Sequence, residues 1–546
     1  MTFGKHAWTA AAVATAAVAG LVLWSSLAAT SSVLLPARLP DDAAERGAVY
    51  FYAEDFGGLS AHSLETHALP WRLSAAALVV EARRRQPDLP LSRATLDDEL
   101  ARFGFLHPQS LGNWPGRKAL VASALPLGMT YGEVQILPGV PVTVSNLGCA
   151  SCHAGATYDK RGRPVPQTAW LGAPNTSLNL ELYTSAVYDA YVASVDDPDA
   201  LMAAVRILFP EMSVRERWAL RNLVLPRVRD RLKDLKAEGR ALPFPNGSPG
   251  ATNGVAALKL ALDVPMDGGG KSEYGVTSIP DLGLRTFRTS LLYDGAYAPA
   301  GTKARMMGTR DITPQHVKSL ATITTFFSVP SMGISPKRAS GNIRKADDIY
   351  AFLGSYRPQP FPGTADERAA ARGSEVYRQA CAACHGSYDD SGATPRLVSF
   401  PNWAGDVGTD PARARAFSPE LSRAVNATAY GKPMTASATG LYAAPPLSGL
   451  WATAPYLHNG SVPSLAALLG LAPRPGRFMV GGHRLNFDTV GIDLTANGSY
   501  PAGYVPWSQP WVLETSAPGY GSGGHDFGAE LKPAQKRDLI AYLKKL

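Results

Sequence analysis

The sequence predicts a mainly α-helical protein: two related domains with long loops and few short strands, behind an N-terminal extension. Three observations carry this. The pattern Cys-x-x-Cys-His occurs twice, as Cys149, Cys152, His153 and as Cys381, Cys384, His385. Two stretches, "IRKADDIYAFLGSY" (343–356) and the terminal "KRDLIAYLKKL" (536–546), resemble one another and carry apolar residues at helical spacing. Finally, 52 glycines and 44 prolines in 546 residues break the chain into turns and ordered loops.

Composition bounds the class. With 45% hydrophobic and 18% charged residues the chain reads as globular rather than disordered. The net charge of +8 is dispersed. Its densest run, Arg215 to Arg240, is interrupted by acids and reads as a solvated helix face, not a nucleic-acid site. A positive patch could still dock an acidic redox partner. Residues 7–29 are almost wholly apolar and follow Lys5 and His6. A run of about 21 such residues is long enough to span a bilayer. Ser26-Leu27-Ala28 fits a signal-peptidase site. Residues 1–30 are therefore expected to be a signal peptide or membrane anchor, and the chain periplasmic or extracellular. No later stretch reads as spanning.

"RPQPFPG" (357–363) is a Pro-rich break suited to a linker and places a boundary near residue 360. The expected order is an extension over 31–145, helical in "LSRATLDDELARFGFL", a first domain over 146–360 and a second over 361–546.

Cys-x-x-Cys-His is the attachment pattern for c-type haem. The thiols form thioethers with the haem vinyl groups, and a three-residue step puts both sulfurs on one side of a helical turn. The next histidine offers an imidazole nitrogen to the iron. All four cysteines of the chain fall inside the two motifs, which excludes a disulfide framework and a lone cysteine nucleophile. A redox pair does not need the histidine, and a four-ligand zinc site would have to combine both motifs. Two covalently bound c-type haems are the expectation. Export agrees with it, because such haem is attached outside the bacterial cytoplasm.

The copies are expected to differ. "APPLSGLWATAPYLHNGSVPSL" (444–465) aligns loosely with "FFSVPSMGISPKRASGN" (326–342), but only the later stretch continues into Leu457-His458-Asn459-Gly460. His458 is thus the candidate second ligand of haem two. Met434 competes with it, and His483 and His525 in Gly-rich stretches are weaker candidates. For haem one the nearest candidates are His316 and Met332, with Met306 and Met307 behind them. If none binds, that iron keeps an open face able to take dioxygen or peroxide.

The two motifs, the export signal and "WATAPYLHNGSVPSL" together resemble the bacterial di-haem cytochrome c peroxidase superfamily, closest to its rubber-oxygenase-like di-haem branch. The C-terminal "GHDFGAELKPAQKRDLIAYLKKL" also looks like that branch. Position 457 is Leu where an aromatic is common. The resemblance implies a haem-dependent oxidoreductase in which His458 pairs with His385 and His153 stands alone on haem one. It implies peroxide, dioxygen or a small organic molecule as substrate, and a small redox protein or quinol-linked carrier as partner. A structural calcium ion between the domains is common in the peroxidase group; the sequence offers no convincing ligand set for it.

Further candidates follow from a reactive haem one. Phe326, Phe327 and Trp170 offer apolar wall, Glu133 and Glu181 a carboxylate for acid–base work, and Trp451 a relay between the haems. Each has a plainer reading as core or solvated surface. A pure electron carrier with two six-coordinate haems, and a haem-bearing binding or assembly protein without turnover, are the competing classes.

Overall fold

Two helix pairs frame the molecule. In the computed structural model Ala43–Ala53 packs on Ile343–Ser355, and Glu367–Ala380 packs on Pro533–Leu543. The structure describes residues 36, 38–53, 69–116, 126–238, 244–266, 274–332, 341–392 and 394–546. The expected export segment lies outside the described residues. Among the described residues helix outweighs strand by more than two to one.

The pairs are built alike. A Cβ on Gly47 would sit 1.8 Å from the Asp348 carbonyl oxygen, and one on Gly373 would sit 2.0 Å from that of Asp538. Only a residue without a side chain allows such contact between helices. The arginine before each glycine clamps the same aspartate: Arg46 Nε donates to Asp348 Oδ2 at 2.7 Å, and Arg372 Nε to Asp538 Oδ2 at 2.8 Å. The C-terminal member of each pair buries an apolar stripe: Ile349, Tyr350, Phe352 and Leu353 in one, Leu539, Ile540, Tyr542 and Leu543 in the other. Asp366 caps its helix by accepting from the Arg368 and Ala369 amides.

The first helix pair draws on both sides of the expected boundary at residue 145. The unit around the first motif reaches back to Ala43, inside the stretch expected to be an extension. Gly47 to Ala53 are all buried, so the helix shows no amphipathic stripe by which to recognise it. The boundary near residue 360 is crossed by two strand pairings. Tyr297–Pro299 pairs with Met434–Ala436, and Met307–Gly308 with Arg396–Phe400. The two halves interlock.

The rest of the N-terminal half is a helical cluster. Trp71–Arg85, Arg93–Arg102, Leu180–Ser194, Pro198–Leu208 and the run from Val214 to Glu238 share one apolar core. In the basic run Leu220, Val224, Val228 and Leu232 point into that core while Arg215 and Arg221 are exposed. A hairpin, Met129–Leu137 with Val140–Leu147, lies against this cluster and delivers the chain into the first motif. Pro138-Gly139 makes its turn, with Gly139 at φ +74°.

Candidate haem-binding site

Each motif is a single helical turn, Cys149–Cys152 in one copy and Ala382–His385 in the other. The His153 amide donates to the Cys149 carbonyl at 2.9 Å, and the His385 amide to the Cys381 carbonyl at 3.0 Å. The turn places the two sulfurs and the imidazole on one side. None of the four cysteines is in a disulfide.

Both turns open on one continuous cavity of about 590 Å³, walled mainly by apolar side chains. Cys149, Cys152, His153, Cys381, Cys384 and His385 all line it. Burial pushes the Cys152 thiol up to about 12 and Cys381 to about 11, and raises Cys384. These sulfurs rest as protonated thiols, unlike the low-pKa thiolate of a redox pair. Among the described residues no three His, Cys, Asp or Glu side chains gather as a metal cluster, so the motifs do not combine into a zinc site.

The two histidines are oriented by the same device. His153 Nδ1 lies 3.1 Å from the Pro280 carbonyl oxygen, and His385 Nδ1 lies 2.8 Å from that of Pro445. With Nδ1–H donated, Nε2 is left as the unprotonated nitrogen a metal requires. Burial lowers His153 to about 3, helped by the charge of Arg285, and lowers His385 to about 4. Both imidazoles are neutral. Cavity, thiols and ligating nitrogens together fit haem.

The two prolines begin a repeat. Segments 280–297 and 445–462 correspond position by position without a gap. Leu284 and Gly449 both have φ 60° and open matching 3-10 turns, Arg285–Phe287 and Leu450–Ala452. Leu292 and Leu457 have φ 73° and 68°, and Gly295 and Gly460 have 62° and 68°. A leucine in that region costs about 1–2 kcal/mol. The isolated bridge Leu291–Tyr297 recurs as Tyr456–Val462. The expected alignment with 326–342 is therefore wrong. The counterpart of His458 in the first half is Tyr293, and the two rings stand 6.5 Å apart on the cavity wall.

The candidate ligands sort as follows. His458 reaches the cavity, but its Nε2 lies 3.0 Å from Tyr442 Oη and its ring stacks on that tyrosine. Tyr442 Oη also donates to the Asp410 carbonyl, so the tyrosine bridges that carbonyl and the His458 ring. Burial and the charge of Arg413 lower His458 to about 3. The imidazole that faces His385 is His525, with ring centroids 6.2 Å apart. Two imidazoles sharing one metal through bonds of about 2 Å have centroids about 6 Å apart. His525 lines the cavity, and its Nδ1 has no partner.

His525 sits on a Gly-rich loop, and the Leu457-His458-Asn459-Gly460 motif holds that loop. Asn459 Nδ2 donates to the Gly519 and Gly521 carbonyls, Ser461 Oγ to Gly521, and Arg474 Nη1 to Ser522 and Gly524. Within the motif it is Asn459, one residue past the histidine singled out from sequence, that bonds this loop.

Other candidates are not at the cavity. Met434 is fully buried in a strand, Met307 is buried and Met306 exposed. His316 Nε2 lies 2.9 Å from the Thr286 carbonyl, and His483 is buried elsewhere. Trp451 packs against Tyr158, Phe361 and Phe487, with its Nε1 on the Gln359 carbonyl, which is a core role. Trp170 Nε1 donates to the Arg357 carbonyl, and Glu181 accepts from the Asn246 amide. Glu133 sits in the hairpin away from the cavity. The side chains of Phe326, Phe327 and Met332 lie outside the described residues. No ring of another residue contacts His153 among the described residues.

Two family models match the stretch that begins just before the second motif. Residues 368–439 match the family described as cytochrome c oxidase, cbb3-type, subunit III, and residues 440–479 match one described as RoxA-like, cytochrome c-like. The chain carries cytochrome c-like sequence. Such a domain implies covalently bound haem and a haem-based electron-transfer or oxidoreductase role. Over 82% of its length the chain is 24% identical to the uncharacterized protein y4iJ of Sinorhizobium fredii, covering 84% of that protein. A second protein of that organism, the uncharacterized y4iM, is 28% identical over 35% of this chain and 52% of its own length. Among the described residues no helix is long and apolar enough to cross a membrane.

Proposed function

We propose that this chain is an exported di-haem c-type cytochrome acting as an oxidoreductase on peroxide or dioxygen. Cys149, Cys152 and His153 would hold the first haem, the reactive one. Cys381, Cys384 and His385 would hold the second, with His525 opposite, for electron transfer. A haem with two protein ligands exchanges electrons, and one with a free face also binds dioxygen or peroxide. The observation that carries this reading is the inequality of the two histidines. His385 faces an imidazole at 6.2 Å, and His153 faces none among the described residues.

The chain's own residues supply the rest. Pro280 and Pro445 fix the two imidazoles by their carbonyls. The apolar wall keeps the space between the motifs dry, which strengthens every polar contact inside it. Tyr293, Tyr297, Arg285 and Arg288 bring the polar groups on the side of the first motif. The net charge of +8 suits docking of an acidic redox protein as electron partner.

The ferric spectrum of the purified protein, with and without hydrogen peroxide, tests the reading. One high-spin and one low-spin haem, with only the high-spin bands moving on peroxide, is the expected result. Two low-spin haems in both oxidation states would make the chain a pure electron carrier.

A further inference from the structure

The gapless repeat also shows where the two sites part. Where the second copy has Leu450 and Thr453, the first has Arg285 and Arg288. Both guanidiniums line the cavity. Arg288 is 4% exposed, with Nε on the Ser290 carbonyl at 2.9 Å and Nη2 on the Leu292 carbonyl at 3.1 Å. Arg285 Nη2 is on the Asp281 carbonyl at 3.3 Å. Neither forms an ion pair among the described residues. The Asp281 carboxylate nearby is already engaged by the Tyr356 hydroxyl at 2.7 Å and the Gly283 amide.

Two buried cations with no carboxylate in salt-bridge contact are costly, even with Asp281 and Asp294 near enough to act on them. Removing an ion from water costs several kcal/mol unless a counter-charge replaces the solvent. Burial and the charge of Arg285 lower Arg288 to about 9. Arg285 donates to the carbonyl of Asp281, the residue after Pro280, whose own carbonyl orients His153, so the missing anion belongs at the first site. A haem brings two carboxylates on its propionate arms.

We infer that Arg285 and Arg288 form a cationic seat for the propionate carboxylates of the haem held at Cys149, Cys152 and His153, and that the second site has no such seat. This rests on the haem reading above. It adds an ordering: two fixed positive charges favour the reduced state of the first haem, so electrons settle there rather than on its partner.

The test is a redox titration of purified holoprotein, followed optically with mediators, for wild type, Arg288→Gln, Arg285→Gln and Arg288→Lys. Loss of one guanidinium should lower the reduced-to-oxidised ratio of the high-spin haem about tenfold at fixed potential, about 59 mV for one electron. The low-spin haem should not move, and Arg288→Lys should keep most of the wild-type value. Resonance Raman should show altered propionate bending in the Gln variants alone. Two covalent haems per chain with unchanged potentials and propionate modes would overturn the seat and leave the haem reading intact. A wild-type chain without covalent haem would sink the parent reading instead. A potential that tracks added acetate would assign the seat to a free carboxylate and also overturn the proposal. Arg288→Lys, together with a far-UV circular dichroism spectrum, separates loss of charge from loss of fold.

Discussion

Segments 280–297 and 445–462 share a backbone and differ in almost every polar group that reaches the cavity. In one, Tyr293 and Asp294 follow the left-handed leucine; in the other, His458 and Asn459 do. Asp294 is fully buried and takes Arg413 at 2.7 Å. Asn459 is neutral and holds the loop that presents His525. Fixed backbone geometry lets one scaffold orient two imidazoles identically through Pro280 and Pro445. Substitution at the positions just beyond then decides what stands opposite and what charge surrounds it. Sameness sits at the two imidazoles held by proline carbonyls and difference in the residues just beyond.

The largest effect tests the sameness. Replacing Cys149 and Cys152 together by Ala should remove one covalent haem per chain, and replacing Cys381 and Cys384 should remove the other. Haem staining on a denaturing gel, with the mass of the intact chain, reads this directly. Wild-type mass without haem adducts, or a double variant that keeps two, breaks the equivalence of the motifs.

The second effect tests the difference. His525→Gly should abolish the low-spin ferric signal, and His458→Gly should leave it. Exogenous imidazole should restore the signal in the first variant only. Loss of the signal in His458→Gly with survival in His525→Gly would return the ligand role to His458.

What the sequence made legible follows from how local each feature is. The six motif residues are contiguous, and their chemistry forbids most substitutions. The Ile343–Ser355 and Pro533–Leu543 helices bury one face and expose the other, so spacing alone reveals them. His525 ranked below His458 because a Gly-rich loop has no periodicity to place it, and only tertiary structure carries it to His385. The Pro280 segment was hidden for another reason. Its likeness to the Pro445 segment lies in backbone angles that leucine and glycine both adopt here, so residue identity hardly records it. The shared Pro, and Leu-Tyr-Asp-Gly set against Leu-His-Asn-Gly, were the signal available. His458 drew attention as the rarest residue type of its motif, while the neighbouring asparagine holds the loop.

A third prediction converts one copy toward the other. Asp294→Asn gives the first segment the neutral side chain of the second and leaves Arg413 buried without its partner. Breaking such a pair costs about 3–5 kcal/mol. Asn459→Ala removes three hydrogen bonds and should cost about 1–3 kcal/mol, with part of the low-spin signal lost as the His525 loop loosens. Denaturant midpoints for the two variants order these costs. Equal midpoints would mean that the ion pair is stabilised no more than a neutral contact.

The smallest effect concerns Asp281, which lies between the copies: it accepts from the Tyr356 hydroxyl and the Gly283 amide of the first half, with Ser448 of the second nearby. Burial raises its pKa to about 6, against the lowering influence of those donors. An aspartate in an unfolded chain titrates near about 3.9. The folded state therefore binds this proton more tightly than the unfolded state. Its contribution to stability is fully present below about pH 4 and is lost as pH rises through about 6. Asp281→Asn keeps a neutral acceptor for the same donors at every pH. The variant should gain on the order of 1 kcal/mol over wild type between pH 4.5 and 7, because the group is only half-buried and partly screened. Thermal midpoints of both proteins across that range check the sign. A wild-type advantage that grows with pH would show that Asp281 is stabilised as a carboxylate, paired with the Arg285 guanidinium, and that the first site holds one fewer unbalanced positive charge.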